Sequence, residues 1–295
     1  MYIPAAIRQK ALPFSKGKYI VNPQYPDQEL ITNWIKALKF EQFELPDYSL
    51  GKRSRKRNSL YSFFLPELNN EVVLKVSQIS NKYSWYRRLN LIITRLFKDY
   101  NLCAYYGGIG LQCIGIRSAH MLAYWTCKQK FNTKSYILYE KIHAQMSVFE
   151  LCNKLNQENL NAKDIISAIA AKHAKIIRKI HSHNMRHGDV HAGNFLVNFS
   201  DIKVKDMTKE TVSKMKFTLI DLDKFQFVRY RTSWLKHIYD LRCLRRFIID
   251  DINGTKALEY YLEKPPTLFQ KNIVKFWMKG GFNIYKWIKP TKKTN

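Results

Sequence analysis

"MRHGDVHAGNFLV", residues 185–197, packs two His, one Asp, two Gly and one Asn between a helix-like run and a strand-like run. An ordinary turn needs a Gly and an Asp or Asn. It does not need Asp189 followed five residues later by Asn194, with an apolar strand straight after. On the upstream side, "DIISAIAAKHAKIIRKIHS" (164–182) places Ile165, Ile166, Ile169, Ile176, Ile177 and Ile180 on one face, which predicts a helix with Asp164 as its N-cap. On the downstream side, "NFLVNF" reads as a strand, 200–215 as a polar linker, and "KFTLIDLDKF" (216–225) as the strand's hairpin partner.

Further upstream, Leu30, Ile31, Trp34, Ile35 and Leu38 predict an amphipathic helix within 28–43. "SLYSFFL" and "EVVLKVS" read as two strands joined by the turn-forming "PELNN". Helical periodicity is expected over 84–98 and near 117–130, and "SYILYEKI" (135–142) reads as a strand. These elements predict an α+β chain of two lobes with a cleft between them. A small strand-rich N-lobe with an N-terminal helical extension would cover 1–142, and a larger helical, strongly aromatic C-lobe 143–295.

Composition bounds the partners. The 295 residues include 46% apolar residues, enough for a real core, and no apolar run reaches the roughly 20 residues of a membrane span. The N-terminus lacks the pattern of a signal peptide. Five scattered Cys with no CxxC pair argue for a reducing, cytoplasmic setting. Lys and Arg total 50 against 23 acidic residues, a net charge of +27 that attracts polyanions. No nucleic-acid-binding module is recognisable, which leaves an anionic membrane surface or a phosphorylated substrate as the favoured partner.

The order helix, His-Gly-Asp-x-His-x-x-Asn, strand, connection and strand ending in Ile-Asp resembles the catalytic layout of the protein-kinase-like fold. Phosphoryl transfer needs a carboxylate to orient the acceptor hydroxyl and take its proton, and oxygen ligands to hold Mg²⁺ against the phosphates of ATP. Asp189 fits the first role, and Asn194 and Asp221 fit the metal site. Such sites also need a strand Lys for the α/β-phosphates, which "EVVLKV" supplies as Lys75. "YILYEKI" fits the segment between lobes, with backbone groups near Glu140 and Ile142 for adenine.

Among kinases of this broad layout, the chain resembles the bacterial lipopolysaccharide core kinases, in particular the heptose kinases of the RfaY/WaaY type. The carrying residues are "LKV" around Lys75, "ILYEKI", "MRHGDVHAGNFLV" and "LIDLDK", within roughly 45–250. The resemblance implies an ATP- and Mg²⁺-dependent kinase of a sugar hydroxyl, a heptose, of the inner core, working on the cytoplasmic face of the inner membrane. The alternatives it leaves are a Kdo or other small-molecule kinase, since choline and aminoglycoside kinases share the broad pattern, and a catalytically silent kinase-like binding protein. "LIDLDK" also resembles the Kdo kinases, which more often carry another residue where Gly188 stands. Oligomeric state is not readable.

Two departures stand out. No Gly-x-Gly-x-x-Gly loop is present; "GKRSRKRNS" takes its place, with Ser59, Asn58 and backbone amides left to cap phosphates. No Glu lies between Lys75 and Glu140 to pair with the lysine, and Asp99 is the only acid in that stretch. Either Asp99 substitutes or Lys75 is held another way. Asp223 is read as a turn residue rather than a second metal-adjacent carboxylate. Asp240 is either an anchor for the catalytic loop or a helix-surface residue. His187 and His191 are read as scaffolding for the loop and His181 and His183 as helix-end residues; a zinc site is not expected.

The C-terminal stretch 268–293 interleaves Phe269, Phe276, Trp277, Phe282, Tyr285 and Trp287 with seven Lys. These aromatics either pack into the helical lobe or sit at the headgroups of an anionic membrane. If the charge docks the chain on such a surface, liposomes with anionic lipid should bind tightly at low salt and release it as salt rises. Neutral liposomes should bind poorly; equal binding to both at low salt would show that the charge serves another purpose.

Overall fold

Residues 2–9, 12–14, 17–37, 58–77, 85–86, 99–129, 132–199, 202–228, 240 and 255–272 are described by the computed structural model. The basic stretch 52–57, most of the helix expected over 84–98, and the aromatics from Phe276 onward lie outside them. The chain forms two compact units: Met1–Ala144 with Phe217–Arg229, and Gln145–Lys216 with Tyr230–Asn295.

The first unit is built on six antiparallel strands in the order β1 (Leu12–Phe14), β2 (Gly17–Val21), β5 (Met121–Gln129), β6 (Asn132–Glu140), β4 (Asn70–Ser77), β3 (Asn58–Leu65). β3 and β4 form the hairpin expected from the sequence. Their connection closes through Pro66–Leu68 and Asn69 at φ 48°, a left-handed position that Asn tolerates. Alternation then sorts β4 by face. Val72, Leu74 and Val76 join a core with Leu122, Trp125, Leu138 and the helix α1 (Gln28–Ala37), whose Ile31 and Ile35 are fully buried. Burying each such side chain is worth about 1.5–3 kcal/mol. Lys75, one residue out of phase, belongs to the opposite face and stands in register with Leu60 and Ile137.

Two expectations fail here for one reason. The stretch near 117–130, expected as a helix, forms strand β5 instead. Its first five residues are all buried, so it shows no period-2 alternation to read. Conversely the helix α2 (Tyr100–Cys113) was not anticipated. It is buried nearly all round, with ten of its 14 residues inside, so it has no polar face to give a helical period.

α2 carries "YYGGIG" (105–110), and its glycines have a packing reason. A Cβ on Gly107 would lie 2.8 Å from the ring of Phe225, and one on Gly108 2.5 Å from Met121. The segment 217–229 therefore closes onto α2, and Leu219 bridges in parallel to Ser118 just after the helix.

The second unit contains the helices α3 (Val148–Glu158), α4 (Ala162–Ser182), α5 (Lys209–Lys214) and α6 (Thr255–Leu262), with the short strands β7 (Met146–Ser147), β8 (Met185–Arg186) and β9 (Phe195–Asn198). α3 opens with a capping box: Glu150 N–H donates to Ser147 Oγ, and Ser147 N–H to the Glu150 carboxylate. α4 is the long helix expected from the sequence, but it starts earlier. Asn161 is its N-cap, and Asp164 sits in the first turn, where the helix dipole favours an acid. Its buried face holds Ile165, Ile166, Ile169, His173, Ile177 and Ile180. The expected linker 200–215 contains α5, capped by Thr208.

Replacing Gly107 with Ala should cost stability although Ala favours helix. The propensity gain of about 1 kcal/mol is outweighed by overpacking against the Phe225 ring, which costs about 1–3 kcal/mol. Urea unfolding should show a net loss of up to about 2 kcal/mol; a more stable variant would mean the notch is slack.

Candidate active site

The first unit holds a lysine between two carboxylates. Lys75 Nζ donates to Asp223 Oδ1 and lies 3.9 Å from Asp221 Oδ1. Both acids come from the segment after the strand Lys216–Leu219, where Leu222–Lys224 makes a single 3-10 turn. Asp221 enters that turn at φ 57°, ψ 57°, a left-handed conformation uncommon outside Gly and characteristic of constrained functional positions. Tyr139, on β6, has its phenol pushed up by burial and then by the charges of Asp223 and Asp221.

Asp223 thus corrects the turn-residue reading: it is the direct partner of Lys75. Asp99 is not. It caps α2, accepting from Asn101 N at 2.9 Å and Leu102 N at 3.1 Å, while its second oxygen accepts from Tyr124 OH at 2.9 Å. The Asn101 side chain donates from Nδ2 to the Ser135 carbonyl at 2.8 Å and to the Lys75 carbonyl at 3.4 Å.

The remaining positions of this unit are placed by the sheet. Glu140 ends β6; its N–H donates to His120 O at 3.0 Å, and its carboxylate lies 3.5 Å from His120 Nδ1. Burial and the neighbouring Glu140 push the Tyr25 hydroxyl up to about 12. Ile142 follows just outside the strand, and Lys141 is tied back by its N–H to Glu71 O and its ammonium to the Glu71 carboxylate. Ser59 lies on β3 opposite Val76.

The second unit holds residues 185–197, whose backbone is held largely by side chains. α4 ends at His183, and Asn184 turns the chain at φ 57° into β8. Gly188 then adopts φ 81°, where a side chain would be strained, and donates its N–H to Asp240 Oδ1 at 3.0 Å. Asp189 N–H donates to His187 Nδ1 at 3.2 Å. The Asp189 carbonyl accepts from His191 N–H at 2.9 Å and from Asn194 Nδ2 at 2.8 Å. Because Asn194 spends its NH₂ on that carbonyl, its Oδ1, the atom able to ligate a metal, is turned the other way. His191 Nδ1 accepts from Gly193 N–H at 3.1 Å, and a Cβ on Gly193 would press on that ring at 3.2 Å. His187 and His191 therefore act as backbone acceptors, the scaffolding role expected of them.

Asp240 resolves to the anchoring alternative. It is fully buried; burial alone would push its carboxyl up, but the bond from His181 and the charges of His181 and Arg186 bring it below its usual value. An ionised carboxylate can only accept, so His181 Nε2, 3.1 Å from Oδ2, carries a proton towards it, and His181 Nδ1 is hydrogen-bonded to Tyr261 OH at 2.9 Å. His181, in the last turn of α4 as expected, is thus a buried link in this chain.

Beneath the loop, His173 of α4 packs its ring 3.8 Å from that of Phe195 and next to the Val190 backbone. Burial, then the neighbouring His187, holds it neutral well below the ordinary histidine range. Above about pH 6.5 it is neutral in both folded and unfolded chains. Below that, the unfolded chain takes up a proton that the folded chain refuses, so this contribution is lost at about 1.4 kcal/mol per pH unit. His173→Phe should remove that part of the acid slope in urea midpoints measured between pH 7.5 and 5; parallel slopes would show that His173 titrates normally.

Two comparisons bear on the fold and the family. The solved structure of WaaP in complex with acyl carrier protein superposes with a TM-score of 0.52 over 78% of this chain and 85% of that one, at 15% identity, a likeness of protein-kinase-like fold. No curated protein matches the chain at a significant level. The sequence profile of the lipopolysaccharide kinase (Kdo/WaaP) family matches residues 109–264, more than half of the length, from α2 through both acid-bearing segments to the end of α6. A family profile that covers more than half of the length shows that the chain belongs to the lipopolysaccharide kinase (Kdo/WaaP) family and is a kinase.

Proposed function

We propose that the chain transfers the γ-phosphoryl group of ATP, with Mg²⁺, to a sugar hydroxyl of the lipopolysaccharide inner core, with heptose as the acceptor sugar. The observation that carries this reading is the clamp on Asp189: two donors fix its main chain while Asn194 Oδ1 is left for a metal. Asp189 then orients the acceptor hydroxyl and takes its proton as oxygen–phosphorus bonding develops. Lys75 binds the α/β-phosphates, and Ser59 lies on the strand that would cover them. The Glu140 amide is spent on His120, so adenine would be read by the Glu140 carbonyl and the Ile142 amide.

Asn194 and Asp221 offer the hard oxygen donors that Mg²⁺ prefers. When bound, Mg²⁺ neutralises charge on the phosphates and aligns the γ-group for in-line attack. Heptose is favoured by the resemblance of the "MRHGDVHAGNFLV" segment, with Gly188, to heptose kinases; Kdo is the second acceptor, favoured by "LIDLDK" and by the family to which the chain belongs. The +27 charge supports work at the cytoplasmic face of an anionic membrane, where such an acceptor would be presented. No helix among the described residues is long and apolar enough to span that membrane.

Labelled ATP offered with core oligosaccharides ending in Kdo or extended by heptose tests the reading. Label should enter only the heptose-containing acceptors, and Asp189→Asn should lower turnover by about 10²–10⁴ while nucleotide binding and melting temperature hold. Label on the Kdo-terminated acceptor would shift the reading to Kdo, and label on neither would end it.

A further inference from the structure

The geometry points to Asp223 as the positioning residue for Lys75, a carboxylate supplied by the turn that carries the proposed metal ligand Asp221, where residues 76–139 offer no acid but Asp99. This rests on Lys75 being the phosphate ligand proposed above. An ammonium whose side chain is only 12% exposed needs an anion close by. Between Lys75 and Glu140 the sequence contains one acid, Asp99, and all its bonds go to the α2 cap and Tyr124. Among the described residues, the carboxylates within 4 Å of the Lys75 ammonium are those of the 221–225 turn. Of the two, Asp223 makes the direct bond and is 18% exposed, whereas Asp221 stands 3.9 Å away and is 36% exposed. The two acids therefore divide the work. The outer one is left to a cation, and the inner one fixes the lysine.

The glycines of α2 set how deep the turn sits. Phe225, two residues after Asp223, packs where Gly107 has no Cβ, and a larger residue there would push the turn outward. "YYGGIG" in the helix and "LDKF" in the turn are thus two halves of one device. A helix that carried its own acid would need no such notch. Lysine and metal ligand consequently move together, since a displacement of the turn shifts both.

Binding of a fluorescent ATP analogue, with Mg²⁺ and with EDTA in its place, separates the roles. Asp223→Asn should weaken binding about tenfold in both conditions, as losing the partner of a buried charge does. Asp221→Asn should weaken only the Mg²⁺-dependent binding. Lys75→Met combined with Asp223→Asn should bind no worse than Lys75→Met alone, and Asp223→Glu should recover most of the loss. A loss confined to Mg²⁺ would make Asp223 a metal ligand and overturn the proposal, as would additivity with Lys75→Met. If the wild-type chain bound no nucleotide, the functional reading itself would fall. The same double-mutant cycle on urea midpoints of the ligand-free chain would then decide: shifts smaller than the sum support the pair, and additive shifts overturn it.

Discussion

A lysine ammonium on a strand of a largely buried sheet must be met by a carboxylate, because removing the charge from water without one costs several kcal/mol. Much of the first unit follows from that requirement at Lys75. β4 has to alternate so that Val72, Leu74 and Val76 fill the core under α1 while Lys75 takes the other face. The other face then needs an acid at the right depth, and Asp223 reaches it only because α2 is notched at Gly107. Asp99 could not be diverted to the task without uncapping α2 and leaving the Tyr124 hydroxyl without its acceptor.

The second unit meets a different constraint, that of an irregular backbone held still. Between His187 and Asn194 no helix or strand is long enough to satisfy the main chain, so side chains act as acceptors and donors for it. His187 and His191 accept from amides, Asn194 donates to a carbonyl, and Asp240 accepts from Gly188. The reach of this scheme extends through His181 to Tyr261 on α6, so the loop is fastened to a helix more than 60 residues later in the chain. Histidine suits the task because a neutral ring offers one acceptor at a fixed angle.

The 187–194 loop was legible in the sequence because its bonding is local: Asp189, Asn194 and the two histidines lie within eight residues, and their bonds run among themselves. The β3–β4 hairpin and α4 were legible for a similar reason, each having one apolar face. The periodicity failed where burial is two-sided, as in β5 and α2, since an element apolar all round carries no phase. Asp223 was missed because its meaning depends on a lysine 148 residues away. The signal available was negative: a strand Lys followed by 64 residues with a single acid, and that acid in the Asp-x-Asn setting of a helix start. Asp240 stayed ambiguous for the same reason, its partners at 181 and 188 being invisible to local pattern.

The first unit is discontinuous, completed by Phe217–Arg229 only after the chain has passed through residues 145–216. On the ribosome, at about 5–20 residues per second, its six strands are all available once Ala144 has been made, yet the turn that neutralises Lys75 and fills the Gly107 notch arrives about 85 residues later. For several seconds of synthesis the nascent sheet therefore carries a solvated lysine and an open apolar notch. The pairing of Lys75 cannot be completed before residues 187–194 have themselves been translated. The order of translation thus keeps a partly made chain from holding a neutralised lysine on its sheet.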